Sequence, residues 1–329
     1  LVINGQFANR SSLRYGCDNI ITQVIIMLDL IQIFFDNIAP ILILTSIGYL
    51  LGKNFKIDTP TISTLLFYVL SPALVFTSLY NSKIGGDEIL SLFTSVILLV
   101  LTMLLISRIV SHLQGVNPQQ KANVTLSAIG LNAGNYGLSL IGFAFSAEVL
   151  SRASIIFVAT SMLTYTLSVY IASMGNYSPR ESFQSILKAP AIYAVISAFA
   201  LQLLQIDLPL VLSRSFETLS KATIPMMVLL LGFQLSQYKP TPHALNLLAT
   251  GTILRLIVSP IIALVIASIL NLTGDARTAF IMQASMPTAV VTLVLSTQFE
   301  LDRDLALGFI FTTTLLSPIT LSILIAVLK

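Results

Sequence analysis

The chain has 329 residues, 55% of them hydrophobic and 9% charged, with a mean hydropathy of +0.91. Soluble domains carry roughly 25% charged residues, so this chain cannot cover a soluble surface, whereas lipid accepts apolar side chains. The formal net charge of +3 is spread singly over loops, with no basic stripe or aromatic–basic interleaving, which argues against nucleic-acid binding.

Residues 1–19 are polar, and the following apolar stretch contains Asp29 and lacks the cleavage pattern of a secretory signal. Met27 opens MLDLIQIFFDNIAP as a natural start, so residues 1–26 are expected to be an upstream extension, and with the first span beginning at 31, residues 1–30 are expected to be an N-terminal extension outside the fold. Beyond it, apolar runs of about 20 residues, the length that spans a bilayer, alternate with short polar punctuation. They predict helices over 31–52, 61–80, 88–111, 121–146, 150–174, 188–206, 209–236, 243–270, 276–299 and 303–328. The longest connection, 175–187, is read as a cytoplasmic linker between a first five-helix repeat (31–174) and a second (188–329).

An offset of 153 residues places Pro72 on Pro225, Gly134 on Pro287, and ATSMLT (159–164) on TTTLLS (312–317). An odd number of spans per repeat inverts the second copy. The expectation is therefore an all-α membrane protein, about ten transmembrane helices in an inverted five-plus-five repeat, with helices four and nine broken. Lysine and arginine are more frequent in the loops on the side of 175–187, which places that side in the cytoplasm and both termini outside. Cys17 is alone, and His112 and His243 fall near span ends with no metal-ligand spacing, so no metal site is expected.

The fourth span reads TLSAIGLNAGNYGLSLIGFAF. Asn132, Gly134, Asn135, Gly137 and Ser139 are too closely spaced for a stable helix interior, since each glycine costs roughly 1 kcal/mol against alanine. A helix broken within a membrane survives where protein or a water-filled cavity surrounds it. Its half-helix ends then favour an anion. The alternative is that the glycines only let helices pack closely. In the ninth span, AFIMQASMPTAVVTLVLS, Pro287 interrupts the helix, and Gln283, Ser285 and Thr288 can satisfy the freed groups or face a ligand. The other reading of Pro287 is an ordinary kink, but matching breaks in the two halves favour a midplane site. Arg255, mid-span in TILRLIVSP, must face protein or water. It reads as a counter-charge for an anionic substrate, a brace for the breaks, a side chain that snorkels to the membrane surface, or a structural donor to main-chain carbonyls. Glu217 and Lys221, four apart, read as a structural pair. No phosphate loop, HExxH, GxSxG or membrane aspartate pair is present, so no enzyme is expected.

Several stretches resemble the auxin efflux carrier family, the bacterial relatives of the plant PIN auxin carriers. They are APILILTSIGYLLGK (39–53), LLFYVLSPALVF (65–76), LNAGNYGLSL (131–140), IPMMVLLLGFQLS (224–236), MPTAVVT (286–292) and TTTLLSPIT (312–320). The resemblance implies ten helices, crossing broken helices four and nine, and a scaffold domain past which a transport domain moves. It places Asn135, Tyr136 and Gly137 at the first crossover and Pro287 at the second. Ser139 stands where the family usually has proline. The related bile-acid sodium symporters use carboxylate sodium ligands that have no counterpart here. The expected function is secondary transport of a small organic anion, a carboxylate, across the cytoplasmic membrane. The expected partners are that anion and the lipid bilayer, with a homodimer allowed, no organic cofactor, and a proton or sodium ion open as the coupling ion. A membrane ligand sensor using the same pocket without flux is the alternative.

Overall fold

The structure, a computed structural model, describes residues 28, 31–82, 84–172, 190–237 and 245–328. The expected N-terminal extension (apart from Leu28) and the 175–187 linker lie outside the described residues. Among those residues the regular structure is helical, and β pairing is confined to one isolated antiparallel bridge, Leu131 with Thr288. Six helices are long and apolar enough to cross a membrane: α1 (Ile31–Asn54), α2 (Thr59–Tyr80), α3 (Gly86–Leu113), α8 (Leu210–Ser236), α9 (Leu245–Ile269) and α12 (Arg303–Leu328). Two more are continuous, α6 (Ala147–Ala172) and the shorter apolar α7 (Pro190–Leu203).

The two spans expected to break do so. The first is divided into α4 (Pro118–Ile129) and a wide-turned segment Ala133–Leu138 that runs into α5 (Ser139–Ala144). The second is divided into α10 (Gly274–Ala284) and α11 (Val291–Gln298). Asn117 starts α4 by accepting a hydrogen bond from Gln120 N at 2.8 Å, with Pro118 in the first turn, where its missing N–H costs nothing.

Three of the prolines inside the continuous spans have a different consequence, while Pro225 and Pro318 lie within α8 and α12 without a π turn. Ahead of Pro40, Pro72 and Pro260 the helix widens to a π turn, over Phe34–Ile38, Leu66–Leu70 and Leu254–Val258. The N–H groups of Ala39, Ser71 and Ser259 reach back five residues, to Phe34, Leu66 and Leu254. A proline ring strikes the carbonyl four residues back and offers no N–H, and the widened turn accommodates both. The interruption stays local and the spans remain continuous.

Helix α1 packs most extensively on α8, while α2 packs on α7 and α8, α6 on α10 and α2, and α3 on α4, α6 and α9. The α1–α8 contact is a glycine seam. A Cβ on Gly232 would lie 2.1 Å from Thr45 O and 2.6 Å from Tyr49 N, and one on Gly48 would lie 2.3 Å from Leu229 O. Small residues let backbones approach where lipid provides no hydrophobic drive. Outward faces carry Ile43, Leu50, Leu105, Ile196 and Ile319, all exposed, as a lipid-facing surface requires. The Glu217–Lys221 pair forms at 2.8 Å on the exposed side of α8.

Candidate functional site

The two breaks meet. Asn132 N donates to Pro287 O and Ala289 N donates to Gly130 O, both at 2.8 Å, around the Leu131–Thr288 bridge. Each break thus satisfies main-chain groups that its own helix gave up, which is how irregular backbone persists in a membrane interior. The bridge pairs residues that lie 157 apart in the chain (131 and 288). Elsewhere, Thr223 Oγ1 on α8 donates to Leu70 O on α2 at 2.9 Å.

Four helix ends gather at this point. Helices α4 and α10 arrive with their C-termini, at Ile129 and Ala284. The segments beginning at Ala133 and Val291 leave with their N-termini. Gly137 N is the N–H that closes the first wide turn, onto Asn132 O at 2.9 Å, so the N–H groups of residues 133–136 have no carbonyl behind them in that turn. Neither N-terminal end has a side-chain cap. A helix start carries partial positive charge, although at the second end Thr292 N and Leu293 N are already bonded, to Ala289 O at 3.1 Å and Val290 O at 3.0 Å.

The polar side chains around the bridge are almost all buried. Asn132 is 5% exposed, and its Nδ2 has no hydrogen-bond partner among the described residues. Gln283 is fully buried on α10. Its Nε2 donates to Ala133 O and Ala153 O at 3.2 Å, while Oε1 is unpartnered and turned toward Gly137. A Cβ on Gly137 would come within 2.3 Å of that oxygen. Thr288 is held from three directions: its N–H donates to Thr313 Oγ1 (3.0 Å), and its hydroxyl meets Ser127 Oγ (2.9 Å) and Ser127 O (3.4 Å). Asn135 and Gly134 are half-buried, with Gly134 against the Phe157 ring. Tyr136 is buried and accepts a hydrogen bond from Ser317 Oγ at 3.1 Å. Ser139 keeps the N–H a proline would lack, donating it to Tyr136 O, and its hydroxyl donates to Asn135 O at 2.8 Å. Ser285 returns its hydroxyl to its own helix, at Ile281 O.

Arg255 is fully buried within the widened turn of α9. Its Nη1 donates to Ala128 O at 2.7 Å, and Nη2 donates to Ser259 Oγ at 2.8 Å and to Ala284 O. The sequence reading assigned no role to Ser127, Ala128, Ser259, Thr313 or Ser317. Thr313 and Ser317 lie in the stretch TTTLLS that marked the repeat. Their involvement follows from α12 passing both breaks, which spacing along the chain does not encode.

Residues 177–325 match the model of a family described as membrane transport proteins. The chain is 25% identical over 291 residues to an uncharacterized transporter of Methanothermobacter thermautotrophicus, covering 87% of this chain and 95% of that protein. It is 25% identical over 304 residues to an uncharacterized transporter of Methanocaldococcus jannaschii (88% and 96% covered). It is 21% identical over 310 residues to the uncharacterized transporter YfdV of Escherichia coli K12 (87% and 97% covered). Fold and matches together define an integral, multi-pass, α-helical membrane protein similar to membrane transport proteins.

Proposed function

We propose that this protein is a secondary transporter of the auxin efflux carrier type that moves a small organic anion, a carboxylate, across the cytoplasmic membrane. In this reading the chain is a ten-helix inverted repeat, and the paired breaks are crossing helices four and nine. The observation that carries it is the meeting of two half-helix N-termini beside a buried amide donor and a buried amide acceptor, Asn132 Nδ2 and Gln283 Oε1, both unpartnered. Half-helix N-termini at a midplane break are where transporters hold anionic groups. Asn132, Gly134, Asn135, Tyr136, Gly137 and Ser139 form one wall of the site, and Gln283, Ser285, Pro287 and Thr288 form the other, with Arg255 beneath. Alternating access then carries the site past a scaffold of α1, α2, α7 and α8, driven by a coupled proton or sodium ion. Both termini lie outside the cell, and the protein works as a monomer or a homodimer.

The test is thermal stability of the detergent-purified protein against a panel of organic acids: dicarboxylates, amino acids and indole acetate. A ligand that binds the native state alone raises stability with concentration. The expected result is a shift with at least one carboxylate, lost in Asn135→Ala while the unliganded melting temperature is kept. A shift that survives Asn135→Ala removes that residue from the site. No shift with any carboxylate overturns the anion assignment, and binding without flux in proteoliposomes makes the protein a sensor.

A further inference from the structure

Arg255 presents a problem of charge. A buried cation costs several kcal/mol unless it is balanced, and the ion pairs among the described residues lie elsewhere, at Arg152 and Lys221. Its terminal nitrogens instead meet two carbonyls: Ala128 O in the last turn of α4 and Ala284 O at the last residue of α10. These are the C-terminal ends of the two half-helices that arrive at the bridge. A helix C-terminus carries about −0.5 of an elementary charge, so two of them offset about one guanidinium. Ser259 supports the arrangement, accepting from Arg255 Nη2 and donating to Ala284 O, both at 2.8 Å.

We propose that Arg255 is a positioning residue, a clamp that ties the two C-terminal half-helix ends together and cancels their negative poles. The N-terminal ends at Ala133 and Val291 then set the potential of the site, and attraction for an anion comes from main-chain N–H groups rather than from the arginine. The role needs the forked guanidinium, whose separate nitrogens reach two carbonyls at once. A lysine ammonium is a point charge on a flexible stem and cannot hold that geometry. The inference rests on the paired breaks being the transport site only for its functional meaning, because the clamp itself is a property of the unliganded protein.

The experiment is residue-resolved hydrogen exchange on the full-length, detergent-purified protein without ligand, comparing wild type with Arg255→Lys and Ser259→Ala. The reporters are Gly130 N–H, bonded to Leu126 O at the end of α4, and Ser285 N–H, bonded to Ile281 O at the end of α10. Arg255→Lys is expected to speed exchange at both by about tenfold, the loss of one charge-assisted hydrogen bond at each end, while the α1–α8 seam is unchanged. Ser259→Ala is expected to speed Ser285 and leave Gly130 as it was. Unchanged exchange at both reporters in folded Arg255→Lys, or a rise at one alone, overturns the two-ended clamp. A rise spread over the whole protein reduces Arg255 to general stability and also overturns it. Should Arg255→Lys not fold, Ser259→Ala decides: an unchanged Ser285 sinks the proposal. No outcome depends on finding a carboxylate that binds, so failure of the clamp is separate from failure of the transport reading.

Discussion

The α1–α8 seam and the paired breaks both bring backbone close to its neighbours at glycine, and they do so for opposite reasons. At the seam, the atoms a Cβ on Gly232 or Gly48 would strike are backbone atoms, Thr45 O, Tyr49 N and Leu229 O. Nothing there can turn aside, and both helices run through without a break. At the breaks, the atom facing Gly137 is the tip of a side chain, Gln283 Oε1, which has no hydrogen-bond partner of its own. Gly48 and Gly232 at the seam serve backbone packing, whereas Gly137 at the break leaves room beside a polar group; Gly134, against the Phe157 ring, is a packing glycine within the break. The two meanings of a glycine-rich membrane helix, contact and site, are thus separated by what stands opposite the missing Cβ.

Two substitutions test this contrast. Gly232→Ala should have the largest effect, because two helix backbones must part to admit one methyl group. A loss of about 3 kcal/mol or more is expected, at the upper end of the cost of overpacking, seen as a large fall in melting temperature or failure to purify as a monodisperse protein. Gly137→Ala should cost less, about 1–2 kcal/mol, since the Gln283 amide can swing away at the expense of its bonds to Ala133 O and Ala153 O. The same substitution should remove stabilisation by any carboxylate that binds wild type. If Gly137→Ala proves as damaging as Gly232→Ala, the breaks are a second packing seam and the contrast fails.

Both breaks were legible in the sequence because they violate helix chemistry locally: Asn132, Gly134, Asn135 and Gly137 in one span, Pro287 in the other. Pro72 and Pro260 look equally disruptive as letters, yet a π turn absorbs each and the spans continue. The difference lies in their surroundings. Around Pro287 a second broken chain supplies the missing partners through Asn132 N and Gly130 O, while around Pro260 the helix supplies its own. Arg255 was legible as a residue that must face protein or water and as a candidate brace or donor to carbonyls, but not which carbonyls it meets, because Ala128 and Ala284 are unremarkable letters whose importance comes from where their helices stop. The glycine seam was hidden too, since Gly48 and Gly232 sit in largely apolar runs, with no local break of the helix pattern to mark them.

The smallest expected effect concerns how the two regions are joined. Side-chain hydrogen bonds between separate helices of the described residues sort into two sets. One ties α2 to α7 and α8, through Gln202 with Leu79 O and Thr223 with Leu70 O. The other ties α3, α6, α9, α10 and α12 around the breaks, through Arg152 with Glu88, Thr252 with Thr312, Gln283 with Ala153 O, and Arg255 with Ala284 O. The bond from Ser151 Oγ on α6 to Ser78 O on α2, at 2.7 Å, joins the sets, and the same hydroxyl lies 2.8 Å from Ala147 O in its own helix. If the sets slide past each other during transport, Ser151 can release Ser78 and keep an acceptor, so the connection breaks without stranding a buried donor. Ser151→Ala should therefore change stability by about 0.6 kcal/mol, the usual worth of one hydrogen bond between membrane helices, as read from the melting temperature in detergent. A loss approaching that of Gly232→Ala would mean that the two sets are held as one body at this contact, which is incompatible with one moving past the other.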